Sequence, residues 1–149
     1  MRGSALLALP LALAAGAALP ADFRSTTEVA VLYDAPSVRA RPLYVLGRDF
    51  PLEVIVSVEG WLKVRDAGGT VAWIDKKAVA ERRMVVVRTP QAEVFAGPDA
   101  AAALVFKAEQ NVVLELIDPA YATSTPGWAK VRHRDNQVGY VRIAQVWGL

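Results

Sequence analysis

The sequence predicts an all-β protein made of two small β-barrels in tandem, each with about five strands and a short terminal helical turn. Three observations carry this reading. Gly60-Trp61-Leu62-Lys63-Val64-Arg65 recurs as Gly127-Trp128-Ala129-Lys130-Val131-Arg132, an offset of 67. Self-similarity at a fixed spacing marks two copies of one supersecondary unit. Apolar and polar residues alternate with the period of 2 that a half-buried strand needs. Turn-forming residues break these runs at short intervals, the spacing of a small closed barrel.

The offset of 67 persists downstream, where Val71-Ala72-Trp73-Ile74 maps onto Val138-Gly139-Tyr140-Val141 and Val79 onto Val146. Upstream the offset is 62, from Tyr33-Asp34-Ala35-Pro36 to Phe95-Ala96-Gly97-Pro98 and from Leu52-Glu53-Val54 to Leu114-Glu115-Leu116. An insertion therefore lies between Asp118 and Gly127, opposite Val56 to Gly60. Copy one begins near Phe23, which aligns with Val85 at the upstream offset. The divisions are a leader over 1–21, a first domain over 22–82 and a second over 83–149. Glu81 to Met84 joins the copies. A connector this short and charged is no free tether, so the copies should be fixed to each other. Each has roughly 60 residues, a size at which a lone core is marginal.

The leader reads as an export signal. Arg2 supplies the positive start, Ala5 to Leu19 the apolar stretch, and small residues offer cleavage after Ala18 or Ala21. The apolar run falls short of the ~20 residues of a spanning helix, and Pro10 interrupts it. The expected location is the periplasm, with the signal removed and no stable membrane span left. With no cysteine in the chain, neither a disulfide framework nor a thiolate metal site is available.

In the strand from Leu52, alternation places Leu52, Val54, Val56 and Val58 inward, and Glu53, Ile55, Ser57 and Glu59 outward. Leu114 and Leu116 repeat the inward pattern, with Glu115 and Asp118 near solvent. In the next strand Leu62 and Val64 share one face, while Trp61, Lys63 and Arg65 share the other. Asp66-Ala67-Gly68-Gly69 and Arg134-Asp135-Asn136-Gln137 punctuate hairpins. Thr70 to Ile74 turns Ala72 and Ile74 inward and Trp73 outward. Lys76 to Ala80 and Ile143 to Val146 form one helical turn each, and Trp147 folds back on apolar surface. Pro36, Pro42, Pro51, Pro98, Pro119 and Pro126 fall in turns or at strand edges, where a missing N–H is tolerated.

No enzymatic constellation is visible. The chain has one histidine, His133, at the end of the Trp128 strand. No cysteine can serve as nucleophile and no serine stands in a Gly-x-Ser-x-Gly elbow. No catalytic residue, metal ligand or cofactor is assigned. A net charge of +2 is too small for a nucleic-acid footprint, and the basic clusters at Lys76-Lys77, Arg82-Arg83 and Arg132-His133-Arg134 are short.

In this order the motifs resemble the bacterial SH3-like (SH3b) domain family. The pieces are Ala35-Pro36-Ser37, Gly60-Trp61-Leu62-Lys63-Val64, Ala72-Trp73-Ile74 and Lys76 to Val79. In copy two they are Gly97-Pro98-Asp99, Gly127-Trp128-Ala129-Lys130-Val131, Gly139-Tyr140-Val141 and Ala144-Gln145-Val146. The tandem form is similar to a group of exported proteobacterial proteins. The resemblance implies non-catalytic binding of peptides or cell-wall material. By analogy, Trp61 and Trp128 stand where eukaryotic relatives grip a peptide with tryptophan, and Tyr33 and Phe95 where they carry a pocket tyrosine. Ala35, Asp75 and Ala78 depart from the proline-rich-peptide groove of those relatives.

The candidate ligand-binding residues are the repeated aromatics Tyr33, Trp61, Trp73, Phe95, Trp128 and Tyr140, with Tyr121 in the inserted loop. Rings beside cations suit peptide or glycan recognition, because rings stack and arginines engage carboxylates. The expected partner is peptide, peptidoglycan or an envelope protein. Two arrangements remain open. The rings either form an exposed groove or cover a domain–domain or dimer interface, and the second would make the protein a structural scaffold.

Overall fold

The strands form where polar and apolar residues alternate. In the computed structural model, which describes residues 19–119 and 126–149, they assemble into two seven-stranded antiparallel sheets. The first contains β1 (Asp22–Thr26), β2 (Ala30–Tyr33), β3 (Pro42–Leu46), β4 (Pro51–Val58), β5 (Trp61–Arg65), β6 (Val71–Asp75) and β7 (Val79–Ala80). The second contains β8 (Met84–Val87), β9 (Gln91–Phe95), β10 (Leu104–Glu109), β11 (Val113–Leu116), β12 (Trp128–Arg132), β13 (Val138–Arg142) and β14 (Val146–Trp147). Strand orders are β3-β2-β6-β5-β4-β1-β7 and β10-β9-β13-β12-β11-β8-β14, the same topology twice. The two 3₁₀ turns, Lys76–Ala78 and Ile143–Gln145, are shorter than the expected helical turns, because the residues after them pair with β1 and β8. Among the described residues no helix is long and apolar enough to cross a membrane. Tyr121, most of the inserted loop and most of the leader lie outside the described residues.

Each sheet wraps its own apolar cluster. Leu32, Leu52, Leu62, Val64 and Ile74 centre the first, and Val85, Val94, Leu114, Val131 and Val141 the second. Full burial of such a side chain contributes about 1.5–3 kcal/mol.

One strand departs from simple alternation. Val54 faces Val64, but the next pair is Val56 with Lys63, so Ile55 is the extra residue of a β-bulge. Side chains alternate strictly, so one extra residue turns the rest of the strand over. Val56 and Val58, expected inside, therefore lie on the outer face beside Lys63 and Trp61, 42% and 39% exposed.

The register also corrects the alignment of the first strands. Phe23 pairs with Glu53, whereas Met84, not Val85, pairs with the matching Glu115. The structural counterpart of Phe23 is thus Met84. The shift places Thr26 opposite Val87 in the duplication. Its buried hydroxyl donates to the Gly47 carbonyl (2.7 Å) and accepts from the Phe50 N–H (2.8 Å), holding the turn before β4.

Phe23 and Met84 point away from their own cores and are nonetheless buried, because the copies meet there. The Trp147 ring packs edge-on to Phe23 at 5.2 Å, and the Arg83 guanidinium lies 5.5 Å from the same ring. Arg83 also donates to the Gly148 carbonyl at 3.1 Å, and burial lowers its pKa. Gly148 is left-handed (φ 118°), and a Cβ there would sit 2.6 Å from the Met84 carbonyl oxygen. Ser25 Oγ donates to the Arg82 carbonyl at 2.8 Å. The connector is therefore fastened from both sides.

Two substitutions test this packing. Phe23→Ala strips the joint of its central ring; we expect a loss of about 3 kcal/mol and separation of one calorimetric unfolding transition into two. Gly139→Ala drives a Cβ to 2.6 Å from both the Phe95 carbonyl oxygen and Val94 Cγ1. It should cost about 2 kcal/mol by denaturant titration, although Ala72 occupies the matching place in copy one.

Candidate ligand-binding face

The pleat sends Trp61, Lys63 and Trp73 to the outer face of the first sheet. Glycines at φ 75° (Gly60) and 86° (Gly127) start the two tryptophan strands from tight turns that other residues rarely adopt. Each glycine carbonyl also accepts the first N–H of the following 3₁₀ turn, from Lys76 at 2.9 Å and Ile143 at 3.0 Å. The tryptophan thus sits in a corner defined on both sides by backbone.

In copy one the Tyr33 and Trp61 rings meet edge-to-face, 5.7 Å apart at 85°. Tyr33 pairs across the ladder with Trp73, and Lys63 Nζ lies 5.9 Å from the Trp73 ring. Copy two repeats each contact. Phe95 and Trp128 meet at 5.9 Å and 82°, Phe95 pairs with Tyr140, and Lys130 Nζ lies 5.9 Å from the Tyr140 ring. The six described candidates thus gather as two matching trios, one per copy. Edge-to-face pairs contribute about 0.5–1.5 kcal/mol beyond their area, and they hold the rings upright.

The trios differ at one cross-strand neighbour. Trp61 faces Asp75 across the ladder, whereas Trp128 faces Arg142. Asp75 turns aside to accept the Lys77 N–H at 2.9 Å, leaving Trp61 half-buried. Arg142 instead stacks its guanidinium 4.7 Å from the Trp128 ring, which is only 8% exposed. A cation over a tryptophan face is attractive, so Arg142 acts as a cover over this ring. The open face therefore belongs to copy one, where Val56 and Val58 extend the apolar strip beside Trp61. Residue-type reasoning missed these two valines, since only the bulge brings them out. The exchange of Asp75 for Arg142 was visible in the offset of 67 as a charge inversion beside a repeated ring.

A second divergence explains the lone histidine. Tyr44 donates its hydroxyl to Asp66 Oδ2 at 2.9 Å, while Asp66 Oδ1 accepts the Gly68 and Thr70 N–H groups and ties the hairpin. Burial, and then the hydrogen bond and charge of Asp66, raise the Tyr44 pKa well above the ordinary tyrosine value. At the matching places copy two carries Phe106 and His133, whose rings stand 5.6 Å apart. His133 Nδ1 meets Asp135 Oδ1 at 2.9 Å. The Gln137 backbone N–H, then His133, lower the Asp135 pKa. His133 is thus placed as a hairpin fastener. Among the described residues no three His, Asp or Glu side chains converge to hold a metal.

Residues 26–81 and 88–148 each match the bacterial SH3 domain model, so the chain belongs to that family and carries its domain twice. No curated protein matches the sequence. Solved structures that resemble it include NlpC2 and NlpC1 from Trichomonas vaginalis. NlpC2 is 18% identical with a TM-score of 0.40, over 88% of this chain and 49% of that one. NlpC1 is 19% identical with a TM-score of 0.40, over 93% of this chain and 50% of that one. The chain thus spans about half the length of these structures.

Removing the cover is a direct test. In a variant whose other three tryptophans are phenylalanine, Arg142→Ala should make Trp128 emission measurably more sensitive to acrylamide. Unchanged quenching would mean that Arg142 does not shield the ring.

Proposed function

We propose that the chain is a non-catalytic binding module that recognises peptide or peptidoglycan ligands of the cell envelope, with the open aromatic face of copy one as its main contact. The carrying observation is the upright Tyr33–Trp61 pair, half-buried and flanked by Val56, Val58 and Lys63. An apolar strip edged by a cation offers stacking to a sugar or peptide plane and an ionic contact to a carboxylate. Family membership supports a cell-wall ligand. The export-like leader supports action in the periplasm, with the signal removed.

The scaffold reading would place the rings between domains or between two copies of the chain. The joint within this chain is built from Phe23, Met84, Arg83 and Trp147, and the six candidate rings take no part in its ring contacts. That favours a ligand over an internal interface. The absence of a nucleophile–base pair in the sequence, and the engagement of His133 by Asp135, support a non-enzymatic role.

Purified sacculi and envelope-protein extract should each be offered to the wild type and to Trp61→Ala. Loss of one stacking anchor should reduce recovery of the bound partner about tenfold. Equal recovery by a variant with unchanged circular dichroism would reject the aromatic face as the contact.

A further inference from the structure

A cleft of about 760 Å³ opens where the two copies meet, and none of the six candidate rings lines it. Copy one supplies Arg48 and Asp49, the connector Arg82, and copy two Glu115, Arg132 and Arg134. Four guanidiniums therefore face two carboxylates, with an excess of two positive charges when His133 is neutral.

The carboxylates are shared rather than dedicated. Asp49 lies 3.9 Å from Arg48 and 3.2 Å from Arg82. Glu115 lies 3.5 Å from Arg82 and 3.4 Å from Arg132. Among the described residues Arg134 has no ion-pair partner. Each guanidinium carries five N–H donors in a planar fork, so the shared pairs leave donors unused. All three paired arginines keep their side chains 42–72% exposed, with those donors open to the cleft.

The frame that holds these groups is rigid. Arg82 is fixed through the Ser25 hydrogen bond to its carbonyl. Asp49, Asn111 and Asn136, all lining the cleft, occupy left-handed turn positions at φ 64°, 69° and 70°. Such positions suit Asp and Asn and hold turns tight. The backbone that carries these side chains is therefore held in place before any ligand arrives, which lowers the ordering cost of binding.

From these observations we propose that the inter-copy cleft is a binding site for a short peptide bearing two carboxylates, distinct from the aromatic face. The charge count decides the ligand class. A nucleic acid presents many phosphates and calls for a broad unpaired basic surface, whereas this cleft has an excess of two charges and retains two carboxylates of its own. Planar forks match carboxylates in pairs. A path leads out along β12, where Arg132 and Lys130 share the outer face. The choice of a wall peptide as one source rests on the proposed function; the site itself does not.

Two probes carry the chemistry from different sources: peptide stems released from sacculi by an amidase, and a synthetic end-blocked Glu-Ala-Ala-Glu peptide with two carboxylates. Both are titrated calorimetrically into the full mature chain at low salt. We expect saturable one-to-one binding of at least one probe, with the stems identifying a wall ligand and the synthetic peptide an acidic protein segment. Arg134→Glu should weaken it about tenfold, and the Arg48→Glu/Arg134→Glu pair about a hundredfold. Arg39→Glu, outside the cleft, should leave it unchanged. Binding that survives the folded double variant, equal loss in Arg39→Glu, equally tight inorganic phosphate, or no binding of either probe would overturn the site. Trp61→Ala separates the two readings: it should reduce sacculus recovery about tenfold yet keep the cleft affinity for the probes, and unchanged sacculus recovery would reject the aromatic face while leaving the cleft result to stand.

Discussion

The Phe23 ring is the contact on which the arrangement of the two copies depends. Modules of about sixty residues bury too little apolar surface to be robust alone, so an outward-facing ring shared between them adds to both cores. Trp147 approaches it edge-on and Arg83 covers it, so the last strand of copy two and the connector close on the first strand of copy one. The cleft follows directly. Arg82 reaches Asp49 on one side and Glu115 on the other, and Ser25 fastens its backbone carbonyl.

Within that frame the copies have diverged where a ligand would feel it and held where folding needs them. Most inward positions stay apolar, with Thr26 standing where copy two has Val87, and Gly60 and Gly127 keep the same left-handed turns. The outer face changes sign at one place, from Asp75 beside Trp61 to Arg142 over Trp128. The hairpin fastener changes chemistry, from the Tyr44 hydroxyl on Asp66 to Phe106 packed near His133. One copy thus offers an open ring and the other a covered one, although the backbone order is the same in both.

Much of this was legible from residue order. The repeated Gly-Trp-x-x-Val blocks located both tryptophan strands, and alternation placed Leu62, Val64, Ala72 and Ile74 inward and the rings outward, as the burial of β5 and β6 shows. Val56 and Val58 were not legible, because a bulge is an extra residue against a partner strand and alternation within one strand cannot register a partner. The match of Phe23 to Met84 was hidden for a similar reason: Phe23 and Val85 are both apolar, and only pairing to Glu53 and Glu115 shows the one-residue slip. The cleft drew on Arg48 and Arg134, which are far apart in sequence and belong to different copies, so no local motif could announce it.

The fastened connector has a consequence for any partner that carries many binding groups. Flexible linkage lets two heads find targets at a range of separations, whereas a rigid hinge allows only one. With its two modules pinned, the open ring face of copy one and the cleft between the copies stand at one fixed separation, like the two jaws of a caliper. A repetitive surface whose groups fall at the matching interval would be held by both jaws, and the same groups scattered irregularly would be held by one.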